Sequence, residues 1–187
     1  MIANLITLAD FPDFVPFSVN TDSSLVDPHI REAQTFDVEP VATLARLRAI
    51  AAELPGIATT FRPVDTDAPD FLLLAADAGW ADATLARIWY VGIRPLLVCE
   101  SARRMLLWHG FHVTPAGLQT VSDPSVGAQP VSGASRAELR ADLASKCTHY
   151  RGRLQTALRL AYPTAYPNTC AGTRRRPGSG GLQISAV

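Results

Sequence analysis

The chain has 187 residues, enough for one domain with one sizeable core, and its apolar content of 48% excludes a globally disordered protein. Charged residues make up 18% of the chain, below the fraction of about a quarter that is typical of soluble domains, and this favours an oligomer whose surface is partly covered by other subunits. The three cysteines are far apart and form no CxxC pair, which excludes a disulfide framework and a zinc site.

The charges are unevenly distributed, although the formal net charge is zero. Residues 1–133 contain eight arginines and fifteen carboxylates, a net charge of −7, whereas residues 134–187 contain eight arginines, one lysine and two carboxylates, a net charge of +7. Such a division indicates either an acidic surface that meets a basic one, between subunits or within one monomer, or a basic tail that meets nucleic acid.

Neither the N-terminus nor the longest apolar stretch indicates a membrane protein. The first residues lack the basic segment of a signal peptide, and the stretch 80–110 carries six charged side chains that lipid would not accept. We therefore expect a soluble protein that is made in a cytoplasm and does not contact a membrane.

The N-terminal residues 1–23 are predicted to form an arm. Prolines interrupt the series Phe11, Phe14 and Phe17, which excludes a long helix. The spacing of three allows one short helical turn laid on the core. An arm that covers its own monomer is favoured over a motif that binds a partner.

Two helices are predicted next. The first is short, covers residues 24–36 and has a serine cap. The second covers residues 38–54, is capped by Asp37, and ends at Pro55-Gly56. Its apolar stripe is Val41, Leu44, Leu47, Ile50 and Leu54. Residues 55–76 are predicted to form a loop, which ends in a buried turn or in the start of another helix.

The centre of the chain predicts two further helices, over 79–93 and 95–109, which Pro95 separates or kinks. Both are apolar on nearly all sides, as is typical of central core helices. Residues 111–133 contain two short β-prone runs bracketed by glycine and proline, and predict a β-hairpin or an ordered loop.

The longest predicted helix covers residues 135–161 and begins with a capping box of Ser135 and Glu138. Apolar residues recur along it at steps of three and four, which predicts one buried seam: Leu139, Leu143, Cys147, Tyr150, Leu154, Leu158 and Ala161. The complete prediction is a mainly α protein, a compact bundle of about four to five helices. It comprises a core domain (1–162) and an extended C-terminal tail (163–187).

The tail is rich in glycine and arginine and cannot fold alone. Its last residues alternate as a strand does, so that it is either a hook that adds a strand to a neighbouring subunit or a frayed end. The candidate partner-binding residues are Arg174, Arg175, Arg176, Leu182, Ile184 and Val187.

No motif predicts catalysis. The chain has no phosphate-binding glycine loop, no HExxH and no GxSxG motif. His109 and His112 are close in sequence, but Gly110 separates them and no carboxylate pattern completes a metal site. We therefore expect no enzyme, no cofactor and no metal. The alternative is an enzyme whose site gathers Asp82, Arg87 and the two histidines.

The order of features over residues 80–187 resembles a known family. These features are two apolar helices joined by Arg94-Pro95, then Leu107-Trp-His-Gly110, Val113-Thr-Pro-Ala-Gly117-Leu, Pro130-Val-Ser132, an arginine-rich helix with Lys146 and Tyr150-Arg-Gly-Arg153-Leu, Tyr166-Pro-Asn, Cys170 and a glycine-rich end. They are similar to an uncharacterised family found in phages and prophages of Bacteroidetes-type bacteria. Its members are understood as head–tail connector proteins, the ring or adaptor of the neck.

The resemblance implies a structural virion protein. Copies of the chain would form a ring of about twelve below the portal protein, bind a tail or stopper protein, and line the DNA channel in the neck of the virion. The ring would assemble in the bacterial cytoplasm, and the arginines could make non-specific contact with packaged DNA. The alternative is a non-viral cytoplasmic helical adaptor or regulator that binds one protein partner.

Overall fold

The computed structural model describes residues 2–15, 22–57, 71–108, 111–114, 117–120 and 133–166. This part of the chain is mainly helical, as predicted. The α-helices are α1 (Ser23–Ala33), α2 (Glu39–Ala42), α3 (Leu44–Glu53), α4 (Phe71–Asp77), α5 (Ala83–Ile88), α6 (Arg94–Trp108) and α7 (Gly133–Ala161). Short 3₁₀ turns cover Leu8–Asp13 and Leu54–Gly56.

Two wider helical turns join consecutive helices into longer rods. A first π turn (Gln34–Val38) connects α1 to α2, and a second π turn (Trp89–Ile93) connects α5 to α6. In each, the residue before a proline donates its N–H to the carbonyl five positions back: Glu39 to Gln34, and Arg94 to Trp89. A proline ring clashes with the carbonyl four positions back in a regular helix, and the wider turn relieves this clash.

Pro95 does not separate two helices, because the second π turn accommodates it inside one continuous helical segment; the other predicted role, a kink at Pro95, stays a prediction. Asp37 does not cap a helix over 38–54 but lies within the first π turn. The chain instead bends at Thr43, whose φ of 70° and ψ of 145° interrupt the helix between α2 and α3. A β-branched residue rarely adopts this conformation.

Helix α6 lies at the centre of the bundle, packed against α1 and α7. The first half of α6 is buried on nearly all sides, as predicted for a core helix. Its buried residues include Leu96, Leu97, Val98 and Cys99. The N-terminal arm covers this core with the buried residues Ile6, Phe11 and Val15. It is held by the Leu5 N–H, which donates to Gln34 Oε1 at 3.2 Å. The predicted short turn on the core is thus confirmed.

The seam of α7 packs on α6 and on the second π turn. Leu143, Cys147, Leu154 and Leu158 are buried, as predicted. At Gly92 the two helices approach so closely that a β-carbon there would lie 2.6 Å from the Leu154 Cβ. Glycine is therefore required at this crossing, because no larger residue fits without moving a helix.

Strands β1 (Phe111–Thr114) and β2 (Gly117–Thr120) pair in antiparallel fashion, with Phe111 opposite Thr120 and Thr114 opposite Gly117. This pair is not the predicted hairpin, whose β-prone runs are 118–121 and 126–131; residues 115–116 and 121–132 lie outside the described residues, so the predicted hairpin is not confirmed.

Candidate functional site

The second π turn places Arg94 under the N-terminal arm. This side chain is 7% exposed. Its Nε donates to Asp10 Oδ1 at 2.9 Å and its Nη2 to Asp13 Oδ2 at 2.6 Å. Both carboxylates belong to the 3₁₀ turn of the arm, and Asp13 is the last residue of that turn. A guanidinium shared by two carboxylates is a strong charge-assisted contact, and here it fixes the arm to α6.

A second set of ion pairs joins three helices through α6. Glu100 is 2% exposed and accepts from Arg103 Nε at 2.7 Å and from Arg151 Nη2 of α7 at 2.8 Å. Arg104 donates from Nε to Asp37 Oδ2 at 2.8 Å and lies 3.4 Å from Glu32 of α1. These pairs neutralise the charges of α6 inside the bundle, so they hold helices together.

The two described cysteines are buried in the same region. Burial raises the pKa of Cys99 to about 12. Burial also raises the pKa of Cys147 well above its ordinary value. The thiolate is the reactive form of cysteine, so neither side chain is suited to act as a nucleophile. Both behave as small apolar residues, as their helical context predicts.

The end of α7 is held by a clasp formed by Arg46, Tyr162 and Tyr166. The Arg46 guanidinium lies 4.1 Å from the centre of the Tyr162 ring and 4.9 Å from that of Tyr166. Its Nη1 donates to Tyr166 Oη at 2.8 Å, and this hydroxyl donates to the Val41 carbonyl at 3.0 Å. The clasp fixes the point at which the C-terminal tail begins.

An open groove of about 390 Å³ lies between the second half of α7 and the rod formed by α5 and the second π turn. Its lining is Arg87, Val91, His149, Gly152, Arg153, Thr156, Ala157 and Leu160. A smaller recess of about 170 Å³ shares Arg87, Ala157 and Leu160. The described lining combines apolar residues, such as Val91 and Ala157, with the basic side chains of Arg87 and Arg153.

Large apolar side chains are exposed at three places on the described surface. Leu160 of α7 is 74% exposed, and Leu73 and Leu74 of α4 are 70% and 47% exposed. Phe36, in the first π turn, is 66% exposed and lies beside Arg104. Exposed apolar side chains at several places are typical of a protein that contacts others.

The structure places some of the predicted site residues and not others. Arg174, Arg175, Arg176, Leu182, Ile184 and Val187 lie outside the described residues, as do the His109 and His112 side chains. Asp82 caps α5, accepting from the Thr84 N–H at 2.8 Å. Arg87 lines the groove. The part of the chain that the structure describes holds no cluster of three or more potential metal ligands.

Sequence reasoning missed the roles of Arg94, Glu100 and Arg46. The first two are charged residues within an apolar stretch, which is a signal for buried ion pairs. For Arg46 no such signal exists, because its two tyrosines are more than a hundred positions away.

Comparison with protein-family models, curated proteins and solved structures finds no match to this chain. Among the described helices, none is both long and apolar enough to cross a membrane.

Proposed function

We propose that this protein is a non-catalytic assembly subunit, the head–tail connector of a tailed phage or prophage. One observation carries this proposal. Large apolar side chains are exposed at three places, on α4, α7 and the first π turn, whereas the described charges inside the bundle are ion-paired. A ring subunit needs at least two unlike faces that bind its neighbours, and a rigid core that sets the angle between them.

Two further features support the proposal. Partly buried arginine–carboxylate pairs join the arm to α6 and α6 to α7, which favours a rigid unit. The clasp at Tyr166 starts the tail at a fixed position, from which Arg174–Arg176 and the segment 182–187 can reach another chain. The proposed partners are other copies of the chain, the portal protein and a tail or stopper protein, in the neck of the virion.

The test mixes purified protein with a portal protein from the same phage or prophage genome and examines the product by electron microscopy and mass measurement. We expect a ring on the portal. Deletion of residues 172–187 is expected to prevent or weaken assembly while circular dichroism and thermal unfolding stay unchanged, because the deleted segment lies beyond the clasp.

Three outcomes test the role of the tail and decide between the connector function and the adaptor alternative. A full ring formed by the truncated chain contradicts the role of the tail. Failure of the wild-type chain to bind the portal protein contradicts the connector function. A chain that stays monomeric or dimeric at micromolar concentration, and captures one cytoplasmic protein, favours the adaptor alternative.

A further inference from the structure

We propose that the break between α2 and α3 at Thr43 is a conformational switch, which the hydroxyl of Tyr166 holds in its broken form. When this hydroxyl leaves, Thr43 becomes helical and α2 and α3 merge into one helix. The switch therefore couples the base of the C-terminal tail to the shape of another part of the bundle. The inference goes beyond the proposed function and does not depend on it.

The backbone of Thr43 is strained in the broken form. Its φ of 70° and ψ of 145° suit glycine and are rarely adopted by a residue with a branched β-carbon. Such a conformation persists only where the surrounding structure enforces it. The Thr43 side chain is exposed, so its own burial does not enforce the conformation, and the restraint comes from other residues.

The sequence around Thr43 favours a continuous helix. Neither glycine nor proline occurs between Val41 and Leu54, and apolar residues recur at steps of three and four across the break. Helical hydrogen bonds also reach Thr43 from both sides. Its N–H donates to the Glu39 carbonyl at 2.9 Å, and its carbonyl accepts from the Leu47 N–H at 3.2 Å. The interruption is therefore centred on this one residue.

The clasp contacts a backbone group that the break leaves without its helical partner. In a continuous helix the Val41 carbonyl would accept from the N–H four positions on, that of Ala45. Because Thr43 is not helical, the Val41 carbonyl accepts from the Tyr166 hydroxyl instead, at 3.0 Å. This hydroxyl accepts from Arg46 Nη1 at 2.8 Å, and the same nitrogen donates to Thr43 Oγ1 at 3.2 Å. The Tyr166 hydroxyl thus takes the place of a helical hydrogen bond.

Loss of the hydroxyl changes which form is favoured. The carbonyl of the half-buried Val41 would lose its donor, and an unsatisfied backbone group costs free energy. A helical Thr43 supplies a new donor, the Ala45 N–H, and removes the backbone strain. Residues 167–187 continue directly from Tyr166, so a partner that draws the tail away from α3 would have the same effect as loss of the hydroxyl.

The competing explanation is that packing alone holds the break. Ala42 and Leu47, on either side of Thr43, are both buried, and a single straight helix would have to move one of them. The two explanations differ in what they predict once the Tyr166 hydroxyl is absent, and this difference is the basis of the test.

The test compares Thr43→Gly with Thr43→Ala in the full chain, with and without Tyr166→Phe. Both substitutions at Thr43 remove its hydroxyl, so the comparison isolates conformational preference. Without Tyr166→Phe, the glycine variant is expected to melt about 2–4 °C above the alanine variant, because glycine adopts the broken form without strain. With Tyr166→Phe, the order is expected to reverse by a similar amount, because alanine favours a helix.

Tyr162→Phe is the matched control, since it removes the other tyrosine hydroxyl of the clasp and keeps the ring beside Arg46. With this substitution the glycine variant is expected to remain the more stable of the two. The chemical shift of the Thr43 Cα is also expected to move to a helical value in Tyr166→Phe but not in Tyr162→Phe. An order that Tyr166→Phe leaves unchanged overturns the proposal, as does an alanine variant that is the more stable without it.

Linkage provides a second measurement. If the clasp favours the broken form, the broken form favours the clasp by the same factor. The Ala165 and Tyr166 N–H groups donate to the Tyr162 carbonyl, and their hydrogen exchange is expected to be about fivefold or more faster in Thr43→Ala than in Thr43→Gly. Equal exchange rates overturn the coupling between the break and the tail. These measurements involve no portal protein, so their failure leaves the connector function standing.

Discussion

Arg94 adds an ionic contact to an arm that also packs on the core through Ile6, Phe11 and Val15. Its guanidinium bridges Asp10 and Asp13 of the arm. Arg94→Met keeps the apolar length of the side chain but leaves two carboxylates without their cation. We expect the free energy of unfolding to fall by about 2–3 kcal/mol, less than for a fully buried pair because both carboxylates retain some access to water. Urea denaturation measures this.

Arg48→Met is the control for Arg94→Met, since Arg48 is an exposed arginine, and it should change stability by less than about 0.5 kcal/mol. Limited proteolysis should also cut the arm sooner in Arg94→Met than in this control. Equal stability of the two variants would show that the arm is held by its apolar residues alone.

The buried thiols predict a dependence of stability on alkaline pH. Burial raises the pKa of Cys99 to about 12, and that of Cys147 is raised as well. The folded state therefore holds these protons more tightly than the unfolded state. The resulting stability is fully present below the thiol pKa of the unfolded chain, about 8.5, and is lost as pH rises towards the folded value. Thermal unfolding between about pH 8 and pH 11 measures the loss.

The same burial predicts slow chemical labelling. In a Cys170→Ser background, a thiol reagent at about pH 8 should label Cys99 and Cys147 only after denaturation. Rapid labelling of either residue in the folded protein would contradict the burial of these side chains.

The crossing of α7 over the second π turn depends on one glycine. A β-carbon at Gly92 would lie 2.6 Å from Leu154 Cβ and 2.7 Å from its Cα, so Gly92→Ala must push two helices apart. We expect a loss of about 2–3 kcal/mol or more, as for other overpacked cores. Chemical denaturation of the purified variant provides the measurement.

Gly152→Ala is the matched control on α7, because a β-carbon there meets nothing within 4 Å. Alanine favours the helical conformation relative to glycine by about 0.5–1 kcal/mol, so this variant is expected to be more stable than the wild type. Opposite signs for the two substitutions would establish close helix contact, and a stabilising Gly92→Ala would refute it.

The opposite charges of the two parts of the chain are partly paired within the monomer. Arg151 of the basic part pairs with Glu100 of the acidic part, and Lys146 donates to the Phe14 carbonyl at 3.5 Å. Part of the opposite charge of the two segments is thus used for cohesion of the monomer.

Much of the fold could be predicted from the sequence. The seam of α7, the all-round burial of α6 and the docking of the arm follow from the spacing of apolar residues, because a helix presents positions three and four apart on one side. The resemblance to connector proteins, and the function it implies, remain predictions.

Tertiary structure alone decided the remaining features. Local sequence marks Pro95 as a break or a kink, since a proline disfavours the helix around it. The packing of α6 against α1 and α7 outweighs that local cost, and the chain stays helical from α5 into α6 through the second π turn. The clasp and the groove likewise join residues that are distant in the chain. Hydrophobic periodicity and helix propensity are local properties of a sequence. The ion-pair partner of a charged residue and the residues that line a groove depend instead on which elements pack together.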